Sequence, residues 1–165
     1  MGAMKRTGKT IARHAGELKD ILRRRATAKP REVGYRKKSH VVIGPVRQAG
    51  EKFEAEFVPP RLGSQLAPYH DHNTVLAYEA GAHQVAVWAM KNAMGLRGVE
   101  MLVTQSSFRW RKKTAPGEKI TIEIRKTGEN QAKKTRLLAF SCRFLRKDGP
   151  VAHGSFTVGI IKKKT

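Results

Sequence analysis

Residues 74–94 read TVLAYEAGAHQVAVWAMKNAM, from Thr74 to Met94, and Gly95 follows. Alanine, leucine, methionine, glutamine and glutamate are strong helix formers, and the stretch contains no proline. Gly95 suits the position just past a helix C-terminus, and Asn73 or Asp71 suits the N-cap. Apolar residues occupy nearly every face instead of a single stripe. A helix of that kind is expected to be covered on all sides, so the rest of the chain has to supply the cover.

Downstream the period changes from 3.6 to 2. Ile120, Ile122 and Ile124 alternate with Thr121, Glu123 and Arg125, and Phe140, Cys142 and Phe144 alternate with Ser141 and Arg143. Such alternation marks strands with one buried face. Four strands are expected over residues 99–113, 119–127, 136–146 and 151–162. Their turns are expected at residues 114–117, 128–130 and 147–150, with hairpin connections among the four. Upstream, residues 40–46 and 52–58 are β-rich and residues 47–51 have the composition of a hairpin loop. Phe53, Ala55 and Phe57 alternate with Glu54 and Glu56, and Pro59 and Pro60 stop the run. The expected order is β-β-α-β-β-β-β, one antiparallel sheet wrapped around one helix, an α+β fold. Such a sheet leaves a face and two edges to protect, so a homodimer is expected.

The chain has 165 residues with 34 Lys/Arg against 13 Asp/Glu, a size for one domain plus an extension. Residues 1–39 read as a basic N-terminal arm and residues 40–165 as the domain. Of the net charge of +21, residues 1–40 carry +10. In the arm, Ile11, Ala15, Leu18, Ile21 and Leu22 form a thin helical stripe, so a short basic helix is expected there, or a segment that orders only on binding. Residues 3–10 loosely match a phosphate-loop pattern, but no strand precedes them. Residues 1–4 read as an addition ahead of a start at Met4. Glu17, Asp20 and the lack of serine before Ser39 argue against a transit peptide, and no apolar run of about 18 residues is present to span a membrane. Cys142 is the only cysteine, so no intrachain disulfide forms and a reducing, cytoplasmic location is expected.

Charge of this size attracts polyanions of several kinds, among them coenzyme A phosphates, acidic carrier proteins and nucleic acid. It does not choose between them. Nucleic-acid binding through the basic arm is an alternative, and Phe108 and Trp110 among Arg109, Arg111, Lys112 and Lys113 give the one aromatic-cationic cluster that would serve it.

The element order resembles the hotdog superfamily over residues 40–162, with the helix as filling and the sheet as bun. Val75, Leu76, Glu79, Ala80 and Gln84 resemble the helix of β-hydroxyacyl-carrier-protein dehydratases. Asp71 and His72, followed by Glu79 and Ala80 with Gln84, are more similar to the A-factor-biosynthesis hotdog family. Residues 108–124, with Pro116 and Gly117 in their turn, are similar to the strand pair after the helix. There are departures: Gln84 lies one position late, Asn73 and Thr74 replace a proline-glycine, and the spacing from His72 to Glu79 is shorter than in the dehydratases. The resemblance implies an enzyme that binds acyl-CoA or an acyl-carrier protein and acts by acyl transfer or condensation, dehydration or thioester hydrolysis. A non-catalytic ligand-binding or regulatory protein is the alternative.

Glu79 is the first candidate for chemistry, because a carboxylate on a helix without a polar face sits in a core or a cleft, where burial raises its pKa toward that of a useful acid or base. Its structural alternative is a hydrogen bond to backbone or across a dimer axis. His83 shares a face with Glu79, and His70 and His72 precede the helix as candidate imidazole partners. Asp71, Tyr78, Gly81 and His83 are candidate ligand contacts. Small residues Ala77, Ala80, Gly81 and Ala82 either leave room for an acyl chain or let the helix lie close to the sheet. The unpaired N–H groups of the helix N-terminus can polarise a thioester carbonyl. His70, Asp71, His72, Glu79 and His83 fix no ligand geometry, so neither metal nor cofactor is expected.

Overall fold

The computed structural model describes residues 27–35, 40–60, 75–115, 117–133 and 135–162. The expected arm helix over residues 10–25, the N-cap at Asn73 or Asp71, and His70 and His72 lie outside them. A 3₁₀ turn, Pro30–Val33, precedes β1 (Arg47–Ala49), β2 (Lys52–Glu56), α1 (Val75–Asn92), β3 (Val99–Trp110), β4 (Thr121–Ala132), β5 (Thr135–Arg146) and β6 (Gly149–Lys162). The six strands form one antiparallel sheet in the order β1-β2-β4-β5-β6-β3, curled around α1. No helix among the described residues is long and apolar enough to cross a membrane.

The alternation read in the sequence sets the inner face. Ile120, Ile122, Ile124, Phe140 and Phe144 are fully buried and Cys142 nearly so, each large side chain contributing about 1.5–3 kcal/mol. On the opposite face Glu123 is held by Lys52 at 3.0 Å and Arg143 at 2.6 Å. Gly81 lies where an added Cβ would come within 2.6 Å of Ile122 Cδ1, so its lack of a side chain lets α1 settle onto β4.

Four expectations are corrected. Residues 40–46 form no strand: Val41, Val42 and Ile43 are buried in succession, without alternation, and pairing is limited to the Ile43–Phe57 bridge. Gln84 takes two of the segment's backbone groups, its Oε1 accepting the Val42 N–H at 3.0 Å and its Nε2 donating to the His40 carbonyl at 2.7 Å. That strap ties the segment to the helix, and the residues expected as a hairpin loop supply β1 instead. Second, residues 128–130 are not a turn. β4 runs through them with a bulge between Lys126 and Gly128, a place glycine suits within a strand, and the chain reverses near Lys133, whose φ is 54°.

Third, β3 and β4 are not a hairpin. β4 pairs with β2 and β5, so β3 crosses to the far edge and pairs with β6 from Val99↔Lys162 to Trp110↔Ala152. Fourth, α1 is not covered on every side. Val75 and Leu76 are 45% and 59% exposed, and Glu79, His83, Val87 and Lys91 are half-buried along the same flank. This is the less buried flank of the helix among the described residues, and the edge strand β3 lies beside its C-terminal half.

Candidate functional site

The open flank is a stripe at i+4 spacing, Val75, Glu79, His83, Val87 and Lys91, one above the other. β3 runs beside it. Its half-buried residues Val99 and Met101 have odd numbers, whereas Phe108 and Trp110 have even numbers. The bulge between Val103 and Gln105 makes that change of parity, so both halves of the strand turn the same face inward.

Two cavities lie along this seam. The first, of about 280 Å³, is at the helix N-terminal end and is lined by Val75, Tyr78, Trp110, Arg111, Lys112, Lys113 and Thr114. The second, of about 330 Å³, is at the C-terminal half. Its walls are His83, Val87 and Lys91 from α1, Val99, Met101 and Val103 from β3, and Val33, Gly34 and Tyr35 from the 3₁₀ segment. One is cationic at its rim, and the other mixes valine and methionine walls with Tyr35, His83 and Lys91. Glu79 lies between them on the stripe, one helical turn from Val75 and one from His83.

The Glu79 carboxyl has neither a hydrogen bond nor an ion pair among the described residues, and desolvation by burial raises its pKa from the ordinary glutamate value. His83 is pushed down to about 4 by burial, so its imidazole is neutral near pH 7. Its Nε2 is enclosed without a hydrogen-bond partner among the described residues, and its ring stands edge-on to Phe156 at 4.9 Å. No hydrogen bond joins His83 to Glu79. Tyr78 lines the first cavity while its hydroxyl is hydrogen-bonded to Thr114, and its ring stacks on Phe57 at 4.4 Å and packs on Trp110 at 5.0 Å. Gly81 faces the sheet and lines neither cavity. Among the described residues no group of three His, Cys, Asp or Glu is placed to hold a metal ion. The buried Cys142 thiol is pushed far up, first by desolvation and then by Glu123, which leaves it unreactive as a nucleophile.

No protein-family model matches the chain, and no curated protein sequence matches it. Solved structures do. A homologue of HP0420 from Helicobacter felis superposes with a TM-score of 0.58 at 12% identity, covering 88% of this chain and 98% of its own. A hypothetical thioesterase protein with coenzyme A from Streptococcus pneumoniae matches with a TM-score of 0.53 at 13% identity, over 73% and 88% of the two chains. The dehydratase heterocomplex ApeI:P from Xenorhabdus doucetiae gives 0.55 at 12% identity, over 78% and 88%. The chain has the hotdog fold. Within this hotdog domain the less buried flank of the filling helix, with β3 alongside, carries Glu79 and His83 one turn apart, and Tyr78 is buried in the core beside the first cavity, whereas His70, Asp71 and His72 lie outside the described residues.

The sequence reading did not find Val87, Lys91, Met101, Trp110 or Thr114 as cavity walls. A signal for the first two was present, since the i+4 series from Val75 through Glu79 to Lys91 is legible once one flank is known to be open. Nothing in the sequence pairs that series with β3, because the pairing depends on the crossover.

Proposed function

We propose that this hotdog domain is an enzyme acting on acyl thioesters, with Glu79 as the group that moves the proton. The observation that carries the reading is a desolvated carboxyl, without a partner among the described residues, between a cation-rimmed cavity and one walled largely by valine and methionine, on a single helix face. Val75 and His83 are eight residues apart, about 12 Å along the axis. A thioester laid along the stripe puts its phosphate-bearing arm, from coenzyme A or a carrier protein, beside Arg111 and Lys112. Its carbonyl then lies near Glu79 and its acyl chain in the second cavity. A carboxylate with a raised pKa removes a proton from water, from a nucleophile or from the acyl α-carbon and returns it to the leaving group. Hydrolysis, acyl transfer or condensation, and dehydration share that requirement. His70 or His72 from the loop before α1, and Asp71 beside them, are proposed to complete the site, with the loop coming from the same chain or its partner.

A homodimer belongs to the proposal. β3 is a twelve-residue edge strand paired on one side with β6, and Leu102, Val103 and Ile161 are exposed near it. A free edge of that length with apolar side chains calls for a second strand. A copy of β3 across a two-fold axis supplies it and brings the two open helix flanks together.

The test is incubation with a panel of acyl-coenzyme A and acyl-carrier thioesters, following free thiol and product mass for the native protein and Glu79→Gln. Turnover lost by at least about 100-fold in a folded Glu79→Gln protein is expected for a general acid-base group, and the mass change names the reaction. Equal turnover, or binding without turnover in both proteins, removes Glu79 from the chemistry.

A further inference from the structure

The geometry points to residues 29–35 as the end wall of the second cavity, a stop that sets how long an acyl chain the cavity takes; this rests on the acyl-thioester reading above. The segment belongs to the N-terminal arm, outside the part of the chain that makes the sheet and helix, yet it is built into the core. Val33 is fully buried, and the Ala28 N–H donates to the Ile43 carbonyl at 2.9 Å. The turn closes on itself through the Tyr35 N–H, which donates to the Pro30 carbonyl at 2.8 Å, with Gly34 in the left-handed region at a φ of 83°. Lys91 at the end of the stripe fastens it, Nζ donating to the Arg31 carbonyl at 3.0 Å.

The wall stands at a definite depth. A Cβ added to Gly34 would lie 3.2 Å from Val87 Cγ1, so the turn meets the helix at Val87. Val87 is eight residues past Glu79, about 12 Å along the axis. An extended chain advances about 1.2 Å per bond, from roughly 3.6 Å for the three backbone bonds of a residue. A chain whose carbonyl lies at Glu79 therefore reaches the wall after about ten carbons. Shorter chains leave apolar surface unfilled, and longer ones have to displace a packed segment.

The experiment measures binding of saturated free fatty acids from six to sixteen carbons by titration calorimetry, using the full chain, Tyr35→Ala and Val87→Phe. Tyr35 is a half-buried wall residue whose truncation opens the end, and the larger side chain at Val87 brings the stop nearer to Glu79. Native affinity is expected to peak near ten carbons and fall at least tenfold by sixteen. The peak moves up by two or more carbons in Tyr35→Ala and down by two or more in Val87→Phe. Affinity that climbs steadily to sixteen carbons, profiles that superimpose in all three proteins, or no binding of any fatty acid overturns the end wall. Thioester turnover measured on the same proteins separates the two claims. Turnover with an unmoved length profile sinks the wall and leaves the enzyme reading, whereas a moved fatty-acid profile without turnover sinks the enzyme reading and leaves the wall.

Discussion

Acid should weaken this fold through His83, and the size of the effect follows from its surroundings. The imidazole has its Nε2 enclosed without a partner among the described residues, its ring packs on Phe156, and burial holds its pKa at about 4 against 6.5 for a free histidine. Above pH 6.5 both folded and unfolded chains carry it neutral. As the pH falls from 6.5 to about 4 the unfolded chain takes up a proton that the folded chain refuses, so stability drops by up to 1.36 kcal/mol per pH unit and then levels off. Over that window the loss attributable to His83 is about 3 kcal/mol. That is a substantial part of a domain's usual 5–15 kcal/mol. Glu79 works in the opposite sense, because its raised pKa lets the folded chain bind a proton first, and carboxylates elsewhere titrate too. Comparison with His83→Phe, which keeps those groups and replaces the imidazole with a ring that never charges, isolates the histidine. Urea unfolding of both proteins at fixed concentration from pH 7.5 to 4 is the assay. The native protein should lose about 3 kcal/mol relative to His83→Phe, beginning near pH 6.5. A difference that stays flat to within about 0.5 kcal/mol would mean that the imidazole is hydrated or hydrogen-bonded, and would refute this account of the open flank.

Gln84→Leu leaves the Val42 N–H and the His40 carbonyl without their side-chain partner, and should cost about 1–3 kcal/mol in urea unfolding. Hydrogen exchange should also speed up at Val42. A Cβ at Gly154 would lie 2.4 Å from the Ser107 carbonyl oxygen and 2.5 Å from Phe108 Cδ1. Gly154→Ala should therefore push β3 off β6, cost about 1–3 kcal/mol, and raise exchange along β3 more than along β4. Light scattering at micromolar concentration should give twice the chain mass for the native protein and the single-chain mass for Val103→Lys; a native monomer would overturn the proposed edge pairing.

The strands with clear alternation were legible because their physics is local. Ile120, Ile122 and Ile124 announce a buried face through spacing alone, and Phe140, Cys142 and Phe144 do the same. The long helix was legible from its composition. What escaped the sequence was set by partners distant in the chain. Residues 40–46 have the composition of a strand but pair only around Ile43 and Phe57, and the Val42 N–H goes to one amide side chain 42 residues away. Gly128 has the composition of a turn but pairs with Ala139 just past a bulge, because β5 continues far enough to keep β4 paired beyond it. Glu79 was singled out by its oddity on an apolar helix. The cavities around it could not be, since their walls come from β3 and from the 3₁₀ segment, and neither has a local pattern that says what it will face.

Sheet order, more than any motif, makes Glu79 usable. Had β3 and β4 formed the hairpin that their adjacency suggests, another strand would hold the far edge, and Val99, Met101 and Val103 would not face this flank. Because β4 takes its place beside β2 and β3 is carried to the far edge, a seam opens along Val75, Glu79, His83, Val87 and Lys91. The carboxyl in that seam is dry enough to have a raised pKa and near enough to the surface to meet a ligand. The same displacement exposes the edge of β3 and leaves the lower end of the seam for the N-terminal segment to close. A candidate catalytic group, a candidate dimer edge and a chamber with an end wall therefore share one topological cause. Substitutions that loosen β3 from β6, Gly154→Ala first among them, should disturb all three together.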